Sequence, residues 1–461
     1  MGQNQLEEQH GSWRSAIPPK RRRMVAGGAI GTLMEYYDYY LYGLASATVF
    51  PAVFFPHQSA TVGTLESFAT FAFGFLLRPL GGVVFGHLGD RMGRKTALMV
   101  TVVGMGLATT AIGLIPSAAS IGVAAPVLLL FFRMLQGLFV GGEMGGAASL
   151  VIEHAPAGRR GLFGALLISG AGIANVASAG FMAALGSSNS FFMTWGWRIP
   201  FLFALVLAIV AVVLRSKLEE SEEFKEYAAT QQQAKKPPLP LKEVFRHPKN
   251  AILGILIGLP QSIAGYIVLT FGLAYMVSKG TQAQVGFIGT MIVGALQIFV
   301  APMWGSISDR VGRRPLYIGA CIGFAVLIYP AFALFRTDVP GLIWLGMIVG
   351  FVIPGVAMQG TLQTMLAEMF DVEARTTGIN IGYQISNTIG GGFAPLIAAA
   401  LTAAFNSVWP VIAYAAAICV IGIVATAYAS LRPDVENAPR LTELDDGSTG
   451  SADAVGRLRV S

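Results

Sequence analysis

The stretch Met34–Gly43, MEYYDYYLYG, sets two carboxylates three residues apart, Glu35 and Asp38, among five tyrosines in a run that is otherwise apolar. Residues three apart on a helix are neighbours on its surface, so the two are read as sharing one face. Further along, Arg78 in FLLRPLGG and Arg133 in FFRMLQG stand alone in apolar surroundings, and Glu143 follows in GGEMGG. Two chemistries suit this set. A buried carboxylate is driven towards its neutral form by desolvation and towards its charged form by a nearby cation, so it can bind and release a proton near neutrality. A guanidinium fork grips a carboxylate ligand through two parallel hydrogen bonds. The plainer alternative is a structural ion pair between Glu35 or Asp38 and one of the arginines, or, for Arg78, interhelical packing just before Pro79. Glu143 suits an arginine partner and a second protonatable group equally.

The elements that carry these residues follow from composition. Of 461 residues, 54% are hydrophobic and 12% charged, whereas an ordinary soluble domain is about 25% charged. Twelve stretches can each cross a bilayer, near 24–48, 62–86, 96–116, 122–150, 160–185, 198–215, 250–278, 284–304, 315–335, 341–367, 376–402 and 407–431, where about 20 apolar residues suffice. The chain therefore reads as an all-α polytopic membrane protein. With a rise of about 1.5 Å per residue, Glu35 lies about 16 Å and Asp38 about 21 Å along the first span. The same rise puts Arg78 about 13 Å from the inner side and Arg133 about 14 Å from the outer side. Glu35, Arg78 and Arg133 thus share one depth near the middle of a hydrocarbon core about 30 Å thick. Each would cost about 2.5–3.5 kcal/mol there if unpaired, so pairing or a water-filled cavity must compensate, and this cluster is taken as the site.

With the N-terminus in the cytoplasm, Lys and Arg gather in the inner loops and tails. Only Arg198, Lys279 and Arg336 fall outside, and Arg78 and Arg133 fall within spans. The positive-inside rule thus puts both termini in the cytoplasm. The net charge of +6 is then a topology signal and a contact with anionic lipid, with no nucleic-acid partner implied. The polar run Arg215–Asn250 splits the chain into a tail (1–23), six spans (24–215), a linker (216–249), six spans (250–431) and a second tail (432–461). GHLGDRMGRK at Gly86–Lys95 recurs as GSISDRVGRR at Gly305–Arg314, and Glu153 to Arg160 echoes Glu368 to Arg375. Two parallel six-span repeats are a pattern of secondary transporters. Cys321 and Cys419, both in apolar runs, suggest neither a disulfide nor a metal site. The five histidines lie in tails, loops or span ends, and no HExxH, CxxC or nucleophile-elbow motif is present, so neither an enzyme, a metal nor a cofactor is expected. No repeated pore motif suggests a channel. The strings GGEMGG and Gly390–Gly392 lie within spans, where small residues serve close helix packing.

The doubled G-x-x-x-D-R-x-G-R-[KR] motif resembles the signature of the major facilitator superfamily. GTLMEYYDYYLYG, FLLRPLGGVVFGHLGDRMGRK, RMLQGLFVGGEMGGAA, WGWRIPFLF and AEMFDVEARTTGINIGYQISNTIGGGFAPLIAAAL resemble its metabolite:proton symporter branch, which includes shikimate, alpha-ketoglutarate, citrate and proline/betaine transporters. The resemblance covers residues 24–431. It implies twelve transmembrane helices in two pseudo-symmetric bundles, a monomer in a bacterial inner membrane, and proton-coupled import of a small organic acid, shikimate- or dicarboxylate-like, by alternating access. A zwitterion such as proline or betaine and a transport-inactive sensor remain as alternatives. Arg78 matches the arginine of the branch's RP-x-GG motif, associated with substrate transport. Tyr36 and Tyr39 stand where the branch usually has Trp and Phe, and Met144 where it usually has Trp, which bears on substrate identity. Along spans 7, 10 and 11, Gln261, Tyr266, Gln359, Asn380, Tyr383, Gln384 and Asn387 are read either as lining the substrate cavity or as ordinary interhelical hydrogen bonding. The loop residues Asp90, Arg94, Asp309 and Arg313 match those that hold the superfamily's two halves together on the cytoplasmic side, and Glu153, Arg160, Glu368 and Arg375 would complete such networks. The C-terminal tail has no heptad pattern, unlike some betaine transporters, which favours a carboxylate.

Overall fold

A computed structural model describes residues 19–92, 94–142, 155, 158–186, 190–216, 248–370 and 372–431, without the side chains of 19–32, 86, 89–91, 94, 95, 215, 216 and 372–376. Its helices run in the order expected. They are α1 (Pro19–Thr48), α2 (Ala60–Leu76 continuing past Leu77 as Arg78–Met92), α3 (Arg94–Leu114), α4 (Ala124–Gly141), α5 (Arg160–Leu185) and α6 (Arg198–Ser216). The second set is α7 (Pro248–Gly265 to Gly272–Ser278), α8 (Ala283–Val311), α9 (Arg313–Leu334), α10 (Pro340–Met347 to Pro354–Met369), α11 (Val372–Ser386 to Ala394–Phe405) and α12 (Trp409–Tyr428). Eleven helices among the described residues are long and apolar enough to cross a membrane. The exception is α1, whose two carboxylates and tyrosines lower its apolarity. It compensates by being enclosed: Met34 to Tyr39 are buried, Glu35 and Asp38 included.

The first six helices form one bundle and the last six another. In the first, α1 packs on α5 and α6, α3 on α4 and α6, and α2 on α4; in the second, α7 packs on α11 and α12, and α9 on α10 and α12. The bundles meet through α5 with α8 and α10, α2 with α11, and α1 with α7. The α5–α8 seam runs from end to end. Gly172 faces Gly294, Ser169 Oγ donates to Ile298 O at 2.9 Å, and Gln284 Nε2 donates to Ala183 O at 2.5 Å. Lipid gives helices no hydrophobic reason to associate, so close backbone approach at small residues and interhelical hydrogen bonds must supply the attraction.

The face of the molecule where α1 begins and α12 ends is called here the terminal face, and the opposite one the distal face. On the distal face Arg198 explains the WGWRIPF string. Its Nη1 donates to the carbonyls of Gly113 at 2.7 Å and Ile115 at 2.6 Å, at the end of α3, while the guanidinium lies 4.5 Å from the Trp197 ring. A cation at a helix C-terminus satisfies orphan carbonyls and opposes the negative end of the dipole.

The packing that matters most for the site is that of α2 on α4. A Cβ at Gly137 would collide with the Gly74 carbonyl, one at Gly141 with the Arg78 carbonyl, and one at Gly81 with the Leu138 carbonyl. Glycine is required there because two backbones touch, and that contact fixes the position of Arg78 on α2 relative to Arg133 on α4. Gly141→Ala should therefore destabilise the protein by about 1–3 kcal/mol through overpacking. Gly319→Ala, whose added Cβ meets no atom within 4 Å, serves as the control. Melting temperatures in detergent check this: equal values for Gly141→Ala and the parent would show that the α2–α4 contact is not tight.

Candidate functional site

The two carboxylates of α1 point to different places. Residues three apart on a helix differ by about 60° around the axis, and α1 lies on the boundary between the interior of its own bundle and the second bundle, so that angle separates them. Asp38 turns inward, to α3 and α4. Its Oδ1 accepts from Thr109 Oγ1 at 2.7 Å and from Gln136 Nε2, and its Oδ2 lies 3.4 Å from Arg133 Nη1. Gln136 closes the set, because its Oε1 accepts from the same Nη1 at 2.6 Å. The other edge of Arg133 makes no hydrogen bond: Nε, which lies against Gly74 of α2, and Nη2 have no hydrogen-bond partner among the described residues. Its guanidinium rests 4.0 Å from the Tyr42 ring and 4.9 Å from that of Phe71, faces whose quadrupoles favour a cation.

Glu35 belongs to a second group, at the contact with the other bundle. It accepts a hydrogen bond from Tyr39. Arg78 lies between two rings, 4.1 Å from Tyr39 and 3.4 Å from Phe75, with Nε unpartnered among the described residues. Tyr36 and Tyr383 of α11 share a hydrogen bond of 2.7 Å that joins the bundles, and Tyr266 of α7 packs edge-on to Phe71 and Phe75. Both carboxylates and both guanidiniums are at most 2% exposed. Such burial costs several kcal/mol per ion after relaxation, which the hydrogen bonds and ring faces offset.

Among the described residues the second bundle brings no charged side chain to this group and supplies amides. Gln261 Oε1, Gln297 Oε1 and both amide atoms of Gln384 are buried without partners among the described residues. Gln297 Nε2 donates to Gln359 Oε1 at 2.8 Å, so Gln359 is engaged within its bundle. Asn387 Nδ2 donates to the Tyr383 carbonyl one turn back, which leaves it less to offer a ligand than its helical spacing suggests. Sequence reasoning missed Thr109, Gln136 and Gln297. Gln136 was legible in principle, since it follows Arg133 by three residues and so shares its face; Gln297 lies in an apolar stretch with no such marker.

On the terminal face, Asp309 crosses between the bundles. Its two oxygens accept from the backbone N–H groups of Gly161 at 2.8 Å and Leu162 at 2.9 Å, capping α5. A carboxylate there satisfies orphan donors and meets the positive end of the helix dipole. Arg313 pairs with Asp309 at 2.7 Å and with Glu368 at 3.2 Å, and Thr364 Oγ1 donates to the Arg160 carbonyl at 3.3 Å. Asp309, Arg313, Glu368 and the backbone of Arg160 are thus gathered into one latch. Glu143 and Glu153, and the side chains of Asp90, Arg94 and Arg375, lie outside the described residues.

Known proteins resemble this chain in both halves. Residues 24–236 match the family model described as Sugar (and other) transporter, and residues 256–459 that of the Major Facilitator Superfamily. The shikimate transporter of Escherichia coli K12 is 38% identical over 87% of this chain and 93% of its own length. A proline/betaine transporter of Salmonella typhimurium is 35% identical over 88% and 82%. The crystal structure of a D-xylose-proton symporter superposes with a TM-score of 0.68 at 18% identity, over 88% of this chain and 96% of that one. At that identity the likeness concerns the fold, and it matches the arrangement of two six-helix bundles.

The latch geometry gives a measurable expectation. Asp309→Ala removes both acceptors at the start of α5, a loss of about 0.5–2 kcal/mol, so the population open on the terminal face should rise about 2–30-fold. Asp309→Asn, which keeps one side-chain oxygen acceptor, should fall between. Distances between spin labels at the exposed positions Arg159 and Val311 report the change, and an unaltered distribution in Asp309→Ala would rule out a closing role for this contact.

Proposed function

This chain belongs to the major facilitator superfamily, and from that premise we propose that it is a proton-coupled symporter importing a small hydroxylated organic acid, shikimate-like in chemistry. The superfamily consists of multi-pass membrane transporters, not enzymes. We place the terminal face in the cytoplasm on the strength of the Lys and Arg distribution, and take the molecule to work as a monomer in a bacterial inner membrane.

One observation carries the reading: Arg133 has one edge on Asp38 and Gln136 and the other edge unpartnered among the described residues. While Asp38 is charged it neutralises Arg133. Once Asp38 takes a proton from outside, Arg133 lacks its counter-ion, and its charge then favours a carboxylate ligand offered to Nε and Nη2. Arg78, held over the Tyr39 and Phe75 rings, is the second cation offered to such a ligand. Across the interface, the buried acceptors Gln261 Oε1, Gln297 Oε1 and Gln384 Oε1 call for hydrogen-bond donors, since an unpaired buried acceptor costs about 1–3 kcal/mol. Ligand hydroxyls supply donors, whereas a betaine has none. The likeness to a shikimate transporter agrees. Substrate bridging cations in one bundle and amides in the other would draw the two together, and release of the Asp309 latch would open the way to the cytoplasm, where the ligand leaves and Asp38 gives up its proton.

A second reading, a zwitterion of the proline or betaine kind, is favoured by one feature. Tyr36 lies 5.9 Å from the Tyr39 ring and 6.0 Å from that of Tyr40, and such clustered faces suit a quaternary ammonium.

Proteoliposomes with an alkaline interior decide between them. Labelled shikimate should accumulate and collapse with a protonophore; accumulation of labelled glycine betaine or proline in its place selects the second reading. Asp38→Asn should lower accumulation more than tenfold while counterflow, which needs no net proton movement, persists. Arg133→Lys keeps the charge but loses the fork and should raise the half-saturation concentration about tenfold. Full proton-driven accumulation in both Asp38→Asn and Glu35→Gln would show the proton site to lie elsewhere, with Glu143 next in line.

A further inference from the structure

The ion pair at the centre of this site is a loose one. Arg133 Nη1 and Asp38 Oδ2 are 3.4 Å apart, well beyond the 2.7–2.9 Å of a good charge-assisted hydrogen bond. The closer link runs through Gln136, buried on α4 one turn after Arg133. Its Oε1 accepts from Nη1 at 2.6 Å, and its Nε2 donates to Asp38 Oδ1 and lies 2.8 Å from Thr109 Oγ1. A carboxamide carries an acceptor and two donors on one neutral group. It can therefore link an anion to a cation without adding charge, a role that leucine, glutamate or lysine cannot fill.

We propose that Gln136 is the positioning residue of proton coupling: it holds Asp38 and Arg133 linked but apart, and exchanges its partners as Asp38 gains and loses its proton. This rests on the reading of Asp38 as the proton carrier. With Asp38 ionised, Gln136 Nε2 faces the carboxylate and Oε1 faces Arg133. When a proton from the aqueous phase settles on Asp38, the acid O–H needs an acceptor, and a half-turn of the carboxamide presents Oε1 to it. Arg133 Nη1 is then released towards the unpartnered edge of its guanidinium. Deprotonation reverses the turn; the only covalent bond made or broken is the O–H of Asp38, while the hydrogen bond from Gln136 Nε2 to Thr109 Oγ1 opens and re-forms with the turn. The surroundings leave this role to Gln136. The charged and titratable groups that face Asp38 are Arg133 from α4, Arg78 from α2, Tyr266 from α7, and Tyr37 and Tyr42 from its own helix. From α3 come Thr109, Met105 and Gly106, and from α6 the apolar Ala204 and Leu207. With Met34 and Tyr37 of its own helix, these α3 and α6 residues line a cavity of about 10 Å³ against Asp38, at the lower limit for one water, on a side of the carboxyl that Arg133 does not line.

The test needs no transported substrate. In the lipid-reconstituted full chain, infrared difference spectra follow the protonated-carboxyl C=O band as pH is lowered. Asp38→Asn should delete a component of that band; if nothing is lost, the assignment of the proton to Asp38 fails and this inference falls with it. Gln136→Leu removes a donor to the carboxylate and an acceptor from the acid; the bond to the charged form is the stronger of the two, so the midpoint of the Asp38 component should move to higher pH by about one unit, a tenfold gain in proton affinity. Gln136→Met, closer in shape, should move it in the same direction and serves where the leucine variant does not fold. A merely structural glutamine would leave the midpoint where it was. Midpoints within a few tenths of a unit of the parent in the folded variants, with the Asp38 component still present, would overturn the proposal while leaving Asp38 as the proton site.

Discussion

Everything in this molecule is arranged around the cost of keeping Asp38 and Arg133 ionised between helices. Leaving one of a buried pair without the other costs about 3–5 kcal/mol, so each must have a partner at every stage of any cycle. A tight bidentate pair would meet that need and would also hold the site in one state. The observed contact of 3.4 Å, supplemented by Gln136 and Thr109, satisfies both charges while leaving the carboxylate open to a competing proton. The ring faces of Tyr42 and Phe71 play the same part for the guanidinium: they stabilise charge without fixing its hydrogen bonds.

That loose pair requires a rigid frame, and glycine supplies it. Because α2 and α4 touch backbone to backbone at Gly74, Gly81, Gly137 and Gly141, Arg78 and Arg133 cannot drift apart when their partners change. The second bundle is built differently. Its helices α7, α10 and α11 each contain a π-helical stretch, Tyr266–Phe271, Ile348–Val352 and Asn387–Gly392, and such stretches are rare and frequent at functional sites. Among the described residues the first bundle has one, Phe192–Gly196, at the entry to α6 and away from the charges. Rigidity thus accompanies the ions, and irregular helix accompanies the neutral amides.

Much of this was legible in the sequence because a bilayer restricts the options. Twelve apolar stretches and the repeated GHLGDRMGRK and GSISDRVGRR loops were enough for the two-bundle architecture, and solitary charges in such stretches were enough to find Glu35, Asp38, Arg78 and Arg133. The directions of those charges were not legible. Helical spacing says that Glu35 and Asp38 are neighbours on α1, but only the packed structure shows that a boundary between bundle interior and bundle interface passes between them. Neutral polar residues were harder still. Gln136 and Thr109 look unremarkable in a polar-tolerant span until their bonds to Asp38 are seen, and the capping of α5 by Asp309 joins residues far apart in the chain.

The division of labour between the bundles also bears on why closure should depend on cargo. A ligand shifts a conformational equilibrium only by its differential affinity for the two states. On the proposed function, the cations in the first bundle and the amide oxygens of the second that lack partners among the described residues are satisfied together by one molecule that has a carboxylate at one end and donors at the other. A proton on Asp38 without such a ligand leaves Arg133 charged and unpaired in a closed, low-dielectric site, and a ligand without the proton must compete with Asp38 for the same guanidinium. Each alone makes closure costly, whereas both together remove the penalties. Under the proposed function, coupling would need no separate gate for the proton, because electrostatic neutrality of one buried arginine would enforce it.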